Sequence, residues 1–219
     1  MDTRLQTPFN CIISGASKTG KTTLVNNLLT LKEDLFSTPP EYVLLIYKYN
    51  QDIYTQMKEN ELVTELLSID SNNISFEMLI EKVSPYKDRQ GSLIIFDDSM
   101  TEINDTFEQI FTNLSHHQNC SIIFLTQNLF YNDKTYRTMS LNAHYMFIMR
   151  SPRNKQQIST LAKQFSPGNI RFVTESFKDA TNYAYSYLMF DFSPESCSIL
   201  RLRSKIFPTE FPYTIYLEI

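Results

Sequence analysis

An eight-residue segment near the amino terminus, residues 15–22, leaves few folds open to this chain. It reads Gly-Ala-Ser-Lys-Thr-Gly-Lys-Thr, which fits the pattern G-x-x-x-x-G-K-[ST]. The apolar segment Cys11–Ile13 precedes it, and apolar residues at helical spacing follow from Thr22 to Leu31. A tight turn between a strand and a helix points successive backbone N–H groups into one concavity, where the helix N-terminus adds positive charge. The segment therefore predicts a phosphate-binding loop rather than a turn that only starts a helix.

Each part of this loop has an expected contact with a nucleotide. Lys21 would neutralise the β- and γ-phosphates of ATP, and the Thr22 hydroxyl would ligate Mg²⁺. Lys18 either assists phosphate binding or is only solvated. The expected nucleotide-binding residues are Gly15, Ala16, Ser17, Lys18, Thr19, Gly20, Lys21, Thr22 and Thr23.

A second motif is an apolar strand that ends in two carboxylates. Residues 93–96 are apolar, and Asp97 and Asp98 follow them directly. In open α/β sheets, ligands bind at the carboxyl ends of the strands. We expect Asp97 to hold the Mg²⁺ shell and Asp98 to polarise the attacking water. For Asp98, capping of the following helix is the alternative.

A third apolar strand ends on an amide. Residues 122–125 are apolar, and Thr126, Gln127 and Asn128 follow. In ATPases with this arrangement, the third strand lies between the phosphate-loop strand and the acidic strand. Gln127 could therefore contact the γ-phosphate or orient the water, although a Gln at a strand end is usually a turn residue.

Strands that alternate with helices predict an α/β fold, namely a P-loop NTPase of the RecA/ASCE-like type with a doubly wound, mainly parallel sheet flanked by helices. The 219 residues suit one domain, with a core at about 8–165 and a strand-rich C-terminal extension at about 166–219. Residues 52–69 and 75–83 suggest helical or loop insertions. Further predicted strands are Tyr42–Tyr47, Ser92–Phe96, Ser121–Leu125 and Tyr145–Met149, and further predicted helices are 103–114 and 158–165.

Composition excludes several classes. The formal net charge of −4 argues against a basic nucleic-acid-binding surface over the whole molecule and leaves room for a local basic stripe. The three cysteines are far apart, which favours buried free thiols in a reducing compartment. Apolar runs are too short to cross a bilayer, which needs about 20 residues. The sequence therefore predicts a soluble intracellular protein.

Several segments together resemble a known family. They are Ser14-Gly15 with Gly20-Lys21-Thr22, Phe96-Asp97-Asp98, Ser115–Asn119, Phe124–Phe130, Arg137–Tyr145, Ser151–Arg153 and Leu200–Arg203. From about residue 8 to the C-terminus, the chain resembles the genome-packaging ATPases of Maverick/Polinton-type DNA elements and adintoviruses. These belong to the FtsK–HerA group and are similar to the poxvirus packaging ATPase.

The resemblance implies a homo-oligomeric ring, hexameric or pentameric, that hydrolyses ATP and drives double-stranded DNA into a preformed capsid. It implies a capsid or portal vertex protein as partner, no membrane partner, and work in the host nucleus or cytoplasm where virions assemble. Such rings place an arginine finger against the neighbour's γ-phosphate, and Arg137, then Arg153, are the candidates ahead of Arg150. The chain departs from its relatives in Lys18-Thr19 and in an Asp at position 98 where Glu is usual.

Other functions remain open alternatives. A nucleotide or small-molecule kinase on the same fold usually has an arginine-rich lid, and the sequence shows no such cluster. A GTPase needs Asn-Lys-x-Asp, and residues 154–157 lack the Asp. A nucleotide-gated assembly factor without motor activity would not need the intact motifs. Metal binding by His116 and His117 is disfavoured because adjacent residues on a helix point apart. Arg201 and Arg203 could form a DNA-facing stripe, but a solvated face is favoured.

Overall fold

The computed structural model describes residues 2–69, 74–97, 109–128, 134–151, 155–210 and 212–218. Within these ranges, nine strands form one sheet: β1 Asn10–Ser14, β2 Tyr42–Tyr47, β3 Glu65–Ser68, β4 Ser92–Asp97, β5 Cys120–Thr126, β6 Tyr145–Met149, β7 Tyr187–Asp191, β8 Leu202–Ser204 and β9 Thr214–Ile215. The α-helices of the same ranges are α1 Lys21–Thr30, α2 Lys32–Leu35, α3 Asp52–Glu59, α4 Phe76–Val83, α5 Ser115–Gln118, α6 Lys134–Leu141, α7 Lys155–Phe165 and α8 Ile170–Ala180. A π-helical turn covers Ile110–Leu114, and 3₁₀ turns cover Ser84–Tyr86 and Ser198–Leu200.

The strands lie in the order β3-β2-β4-β5-β1-β6-β7-β8-β9. The first six in this order pair in parallel, and β7, β8 and β9 pair antiparallel at one edge. Parallel strands require crossover connections, which the helices supply. The predicted α/β fold with a mainly parallel sheet is confirmed.

Two apolar clusters cover the two faces of the sheet. Leu24, Val25 and Leu28 of α1 pack on one face together with Tyr54 and Met57 of α3. Helices α4, α6, α7 and α8 pack on the other face, as does the π-helical turn. Strands buried on both sides appear in sequence as continuous apolar runs, which explains why β2, β4, β5 and β6 match their predicted positions.

Two elements differ from the prediction. Residues 65–68 form the edge strand β3 and not a helix or loop insertion, and every side chain of β3 is only partly buried, so no apolar run marks it. The C-terminal segment contains three strands, β7 to β9, and also the eleven-residue helix α8, which was not predicted and whose buried Val173 and Ala180 lie at helical spacing. Of the predicted helix 103–114, residues 103–108 lie outside the described residues.

Arg203 does not belong to a solvated face, so that prediction is wrong for this residue. Arg203 is 1% exposed, and its Nη2 lies 3.0 Å from Oδ2 of the similarly buried Asp191 on β7. Nη1 donates to the Thr3 carbonyl oxygen at 2.8 Å and to the Tyr213 hydroxyl at 3.0 Å. A buried guanidinium needs such partners, and Arg203 therefore ties the N-terminus to the antiparallel edge.

Cys11 and Cys120 are buried free thiols, as predicted, whereas Cys197 is exposed. Burial raises the pKa of Cys120 to about 12, so its thiol stays protonated and unreactive at neutral pH. Among the described residues, no helix combines the length and apolar character needed to span a membrane.

Candidate nucleotide-binding site

The loop of residues 15–20 joins β1 to α1, and two glycines allow its path. A side chain at Gly15 would bring a Cβ within 2.6 Å of both Met149 Cβ and Thr19 Oγ1, so only glycine fits. Gly20 is the N-cap of α1 and has φ +96°, a left-handed conformation that favours glycine. The Gly15 N–H donates to the Thr126 carbonyl oxygen at 3.0 Å, which joins the loop to the end of β5. The first turn of α1 can then present backbone N–H groups to an anion, as helix N-termini do.

Lys21 extends across this loop. Its Nζ donates to the carbonyl oxygens of Gly15 at 2.7 Å and Ala16 at 3.1 Å. The ammonium is therefore held over the concavity where phosphate oxygens would sit, and it can compensate several negative charges there. Lys18 differs, because its side chain is exposed and its backbone has φ 63°.

A hydroxyl and a carboxylate meet beside the loop. Thr22 Oγ1 donates to Asp97 Oδ2 at 3.0 Å, and Asp97 is 5% exposed at the end of β4. Both groups offer the hard oxygen ligands that Mg²⁺ prefers, and Mg²⁺ commonly keeps several waters beside one or two carboxylates. The donor set thus fits the expected ion, which Thr22 could bind directly and Asp97 could hold through water.

Tyr54 and Gln51 complete this corner, and the sequence analysis missed both. The buried Tyr54 hydroxyl donates to Asp97 Oδ2 at 2.7 Å and accepts from Gln51 Nε2 at 2.7 Å. The spacing of Tyr54 and Met57 could have indicated the helix α3, but no sequence pattern names the partner of a hydroxyl. Tyr54 and Thr22 thus donate to the same oxygen of Asp97, and together they fix the orientation of the carboxylate.

A cavity of about 690 Å³ lies in front of these groups, at the carboxyl ends of the parallel strands. It is lined by loop residues, Asp97, Gln51, Gln127 and Tyr185, among others. As predicted, β5 lies between β1 and β4, so the exposed Gln127 faces the same cavity as the loop and Asp97. The next residue, Asn128, has a different role, because its Oδ1 accepts a hydrogen bond from Gln157 Nε2 at 2.7 Å.

Of the remaining candidate site residues, the structure describes some and not others. Asp98 and Arg153 lie outside the described residues. Arg137 lies on α6 with an exposed side chain, and within the described part of the chain it does not line the cavity of its own subunit. His117 lies on α5 with an exposed side chain.

Solved structures with this fold include viral packaging enzymes. The genome packaging NTPase B204 from Sulfolobus turreted icosahedral virus 2 in complex with sulfate has 13% sequence identity and a TM-score of 0.57, and the match covers 96% of this chain and 97% of that one. Its complex with AMPPCP has 13% identity and a TM-score of 0.55, over 97% and 98% of the two chains. B204 from Sulfolobus turreted icosahedral virus, a DNA-packaging ATPase, has 14% identity and a TM-score of 0.55, over 98% and 100%. At such identities the likeness shows the P-loop NTPase fold alone.

The family of this chain is established by comparison of its sequence with protein families. Comparison with curated protein sequences found no match. Residues 1–166, which contain the phosphate loop, the acidic strand and the Gln127 strand, match the family described as poxvirus A32 protein. This match confirms the predicted relationship to the poxvirus packaging ATPases. The chain is a member of the poxvirus A32 protein family.

Proposed function

We propose that this protein is an ATP-hydrolysing motor that translocates double-stranded viral DNA into capsids. The observation that carries the proposal is the meeting of Lys21, Thr22 and Asp97 at one cavity, in a chain of the A32 family. In that cavity the loop N–H groups and Lys21 would bind the β- and γ-phosphates of ATP. Thr22 and Asp97 would hold Mg²⁺, which supplies charge compensation and polarises the γ-phosphate when bound.

Two residues would handle the attacking water. Gln127 presents its amide to the cavity from the end of β5, where it can donate to a phosphate oxygen or accept from a water. Asp98 follows directly after Asp97 in the chain and would polarise that water. A shorter Asp in place of the usual Glu would require the water to sit closer to the strand end.

The motor activity would require a homo-oligomeric ring, hexameric or pentameric. Arg137 is exposed on the helix that follows the Gln127 strand and does not line its own cavity among the described residues, which suits a finger offered to a neighbour. Arg153 is the second candidate. A fixed guanidinium at the γ-phosphate would stabilise the charge that develops during transfer.

Double-stranded DNA and a capsid or portal vertex protein would be the partners, at the site of virion assembly inside the host cell. The net charge of −4 means that DNA would have to be gripped by a local basic surface. Such contacts predict ATPase activity that rises with DNA and a DNA affinity that falls steeply with salt.

The deciding experiment is an ATPase assay with and without double-stranded DNA, run beside a mass measurement of the assembly. We expect a ring whose hydrolysis rate increases on addition of DNA. A monomer that hydrolyses ATP without DNA stimulation would contradict the motor and favour a kinase. An assembly that binds ATP without turnover would favour a nucleotide-gated assembly factor.

The finger is tested by mixing inactive subunits. Rings of Arg137→Ala subunits and rings of Asp98→Asn subunits should both be inactive. In mixed rings, an intact Arg137 can face an intact Asp98 across an interface, so activity should return. Failure of rescue, with ring formation verified by mass, would remove Arg137 and point to Arg153.

A further inference from the structure

Tyr185 occupies an unusual position beside the phosphate loop. It lies in the connection between α8 and β7, is 69% exposed, and has φ 63°. A bulky residue rarely adopts this left-handed conformation, which costs energy and tends to occur at binding sites. Its ring lies against Gly20, with Cδ1 only 3.1 Å from the point that a Cβ of Gly20 would occupy. The glycine thus allows the loop and the ring to touch.

A second cavity, of about 580 Å³, opens on the far side of this contact. Gly20, Thr23 and Tyr185 line both this cavity and the phosphate cavity, so the two are neighbours that share one wall. The second cavity runs along the exposed side of the first turns of α1, past Asn27, to the connection that carries Asn182.

We infer that the second cavity binds the base and sugar of the nucleotide, with the ring of Tyr185 as the surface on which the purine stacks. The inference rests on the proposed function, since it requires a triphosphate in the phosphate cavity. A triphosphate seated over Lys21 has to leave the loop past the start of α1, and that exit leads along Gly20 and Thr23 to Tyr185. An exposed aromatic face at that point offers stacking that any base can use.

The polar lining of the cavity can recognise the edge of a base. Asn27 and Asn182 have exposed side chains whose amides both donate and accept, as the edge of a purine does. The acidic groups of the lining already have partners: Asp179 Oδ2 accepts from the Tyr216 hydroxyl at 2.7 Å, and Glu210 Oε2 accepts from the Tyr187 hydroxyl at 2.6 Å. The amides are therefore the groups best placed to meet the base.

The test compares two probes, ATP and inorganic tripolyphosphate, which lacks the base and sugar. Tyr185→Asn removes the ring and keeps a residue that tolerates the left-handed backbone. We expect it to weaken ATP binding by about 10-fold, the scale of one aromatic stack, and to leave tripolyphosphate binding within about 2-fold. Tyr185→Phe keeps the ring and should bind ATP as the wild type does. Calorimetry on the full chain measures each affinity.

Tyr49→Asn is the matched control, because Tyr49 is 62% exposed and lines neither cavity among the described residues. It should bind both probes normally. Tyr185→Asn binding ATP as tightly as wild type would overturn the inference while leaving the proposed function standing. If the wild type bound neither probe, the phosphate site and the proposed function would fail together.

Discussion

The parallel and the antiparallel parts of the sheet use their polar residues in opposite ways. In the parallel part, charged and amide groups stand at strand ends and face a cavity, as Asp97 and Gln127 do. In the antiparallel part, Asp191 and Arg203 are buried between strands, where they form an ion pair. The contrast teaches that a polar residue after an apolar run indicates a site when the strand is parallel, because all carboxyl ends meet at one edge. The same residue type in the antiparallel part indicates a structural pair.

The largest expected effect tests the structural side of this contrast. Arg203→Ala leaves Asp191 buried without its cation, so we expect the free energy of unfolding to fall by about 3–5 kcal/mol. Urea unfolding followed by circular dichroism measures it. A loss below about 1 kcal/mol would mean that the buried pair is dispensable and that the antiparallel part does not depend on it for stability.

Lys21→Ala tests the functional side. Loss of the ammonium over the loop should lower ATP turnover by about 100- to 1000-fold, the scale of removing one preorganised electrostatic contact. The free energy of unfolding should stay close to that of the wild type because Lys21 is not in the core. Lys163→Ala, at an exposed lysine of α7, is the control and should hydrolyse normally. Wild-type turnover in Lys21→Ala would refute the whole site.

A smaller effect is expected at Tyr54, a buried residue whose hydroxyl donates to the site carboxylate Asp97. Tyr54→Phe keeps the buried ring and removes the hydrogen bond to Asp97, so the carboxylate loses its fixed orientation. We expect about 10-fold more Mg²⁺ for half-maximal ATPase activity, as for other groups that orient a ligand.

The control for Tyr54 is Tyr145→Phe, which removes a hydroxyl that accepts from the Gln6 N–H at 2.9 Å, and Tyr145 does not line the phosphate cavity. It should lower stability comparably and leave the Mg²⁺ requirement unchanged. An equal shift in both variants would show that Tyr54 acts through general stability.

The smallest effect calibrates the first. Arg171 and Glu175 form an ion pair on the surface of α8 at 2.7 Å, with side chains 85% and 62% exposed. Solvent screens such pairs, so Arg171→Ala should change unfolding by less than about 0.5 kcal/mol. If Arg171→Ala lowered the free energy of unfolding as much as Arg203→Ala, burial could not be the reason why Arg203 matters for stability.

Sequence reasoning succeeded where one pattern carries both geometry and chemistry. The phosphate loop between β1 and α1 and the central strands follow from apolar runs and from glycines that no other residue replaces. The place of β5 between β1 and β4 is expected by analogy with ATPases of this arrangement. These are local signals, or consequences of a small set of possible topologies.

It failed where the deciding partner is distant in sequence. β3 is half-exposed and carries no apolar run, and the burial of Arg203 depends on Asp191 across the sheet. Tyr54 gains its role from a carboxylate 43 residues away in the chain. No periodicity encodes such a pairing, and only the assembled fold reveals it.

The strand β6 has a mechanical consequence. It pairs with β1 on one side and with β7 on the other, so hydrogen bonds run without a seam from the C-terminal edge to the strand that leads into Gly15. Met149 of β6 also abuts Gly15 itself. A displacement of the C-terminal edge would therefore be transmitted to the phosphate loop through the continuous, rigid sheet.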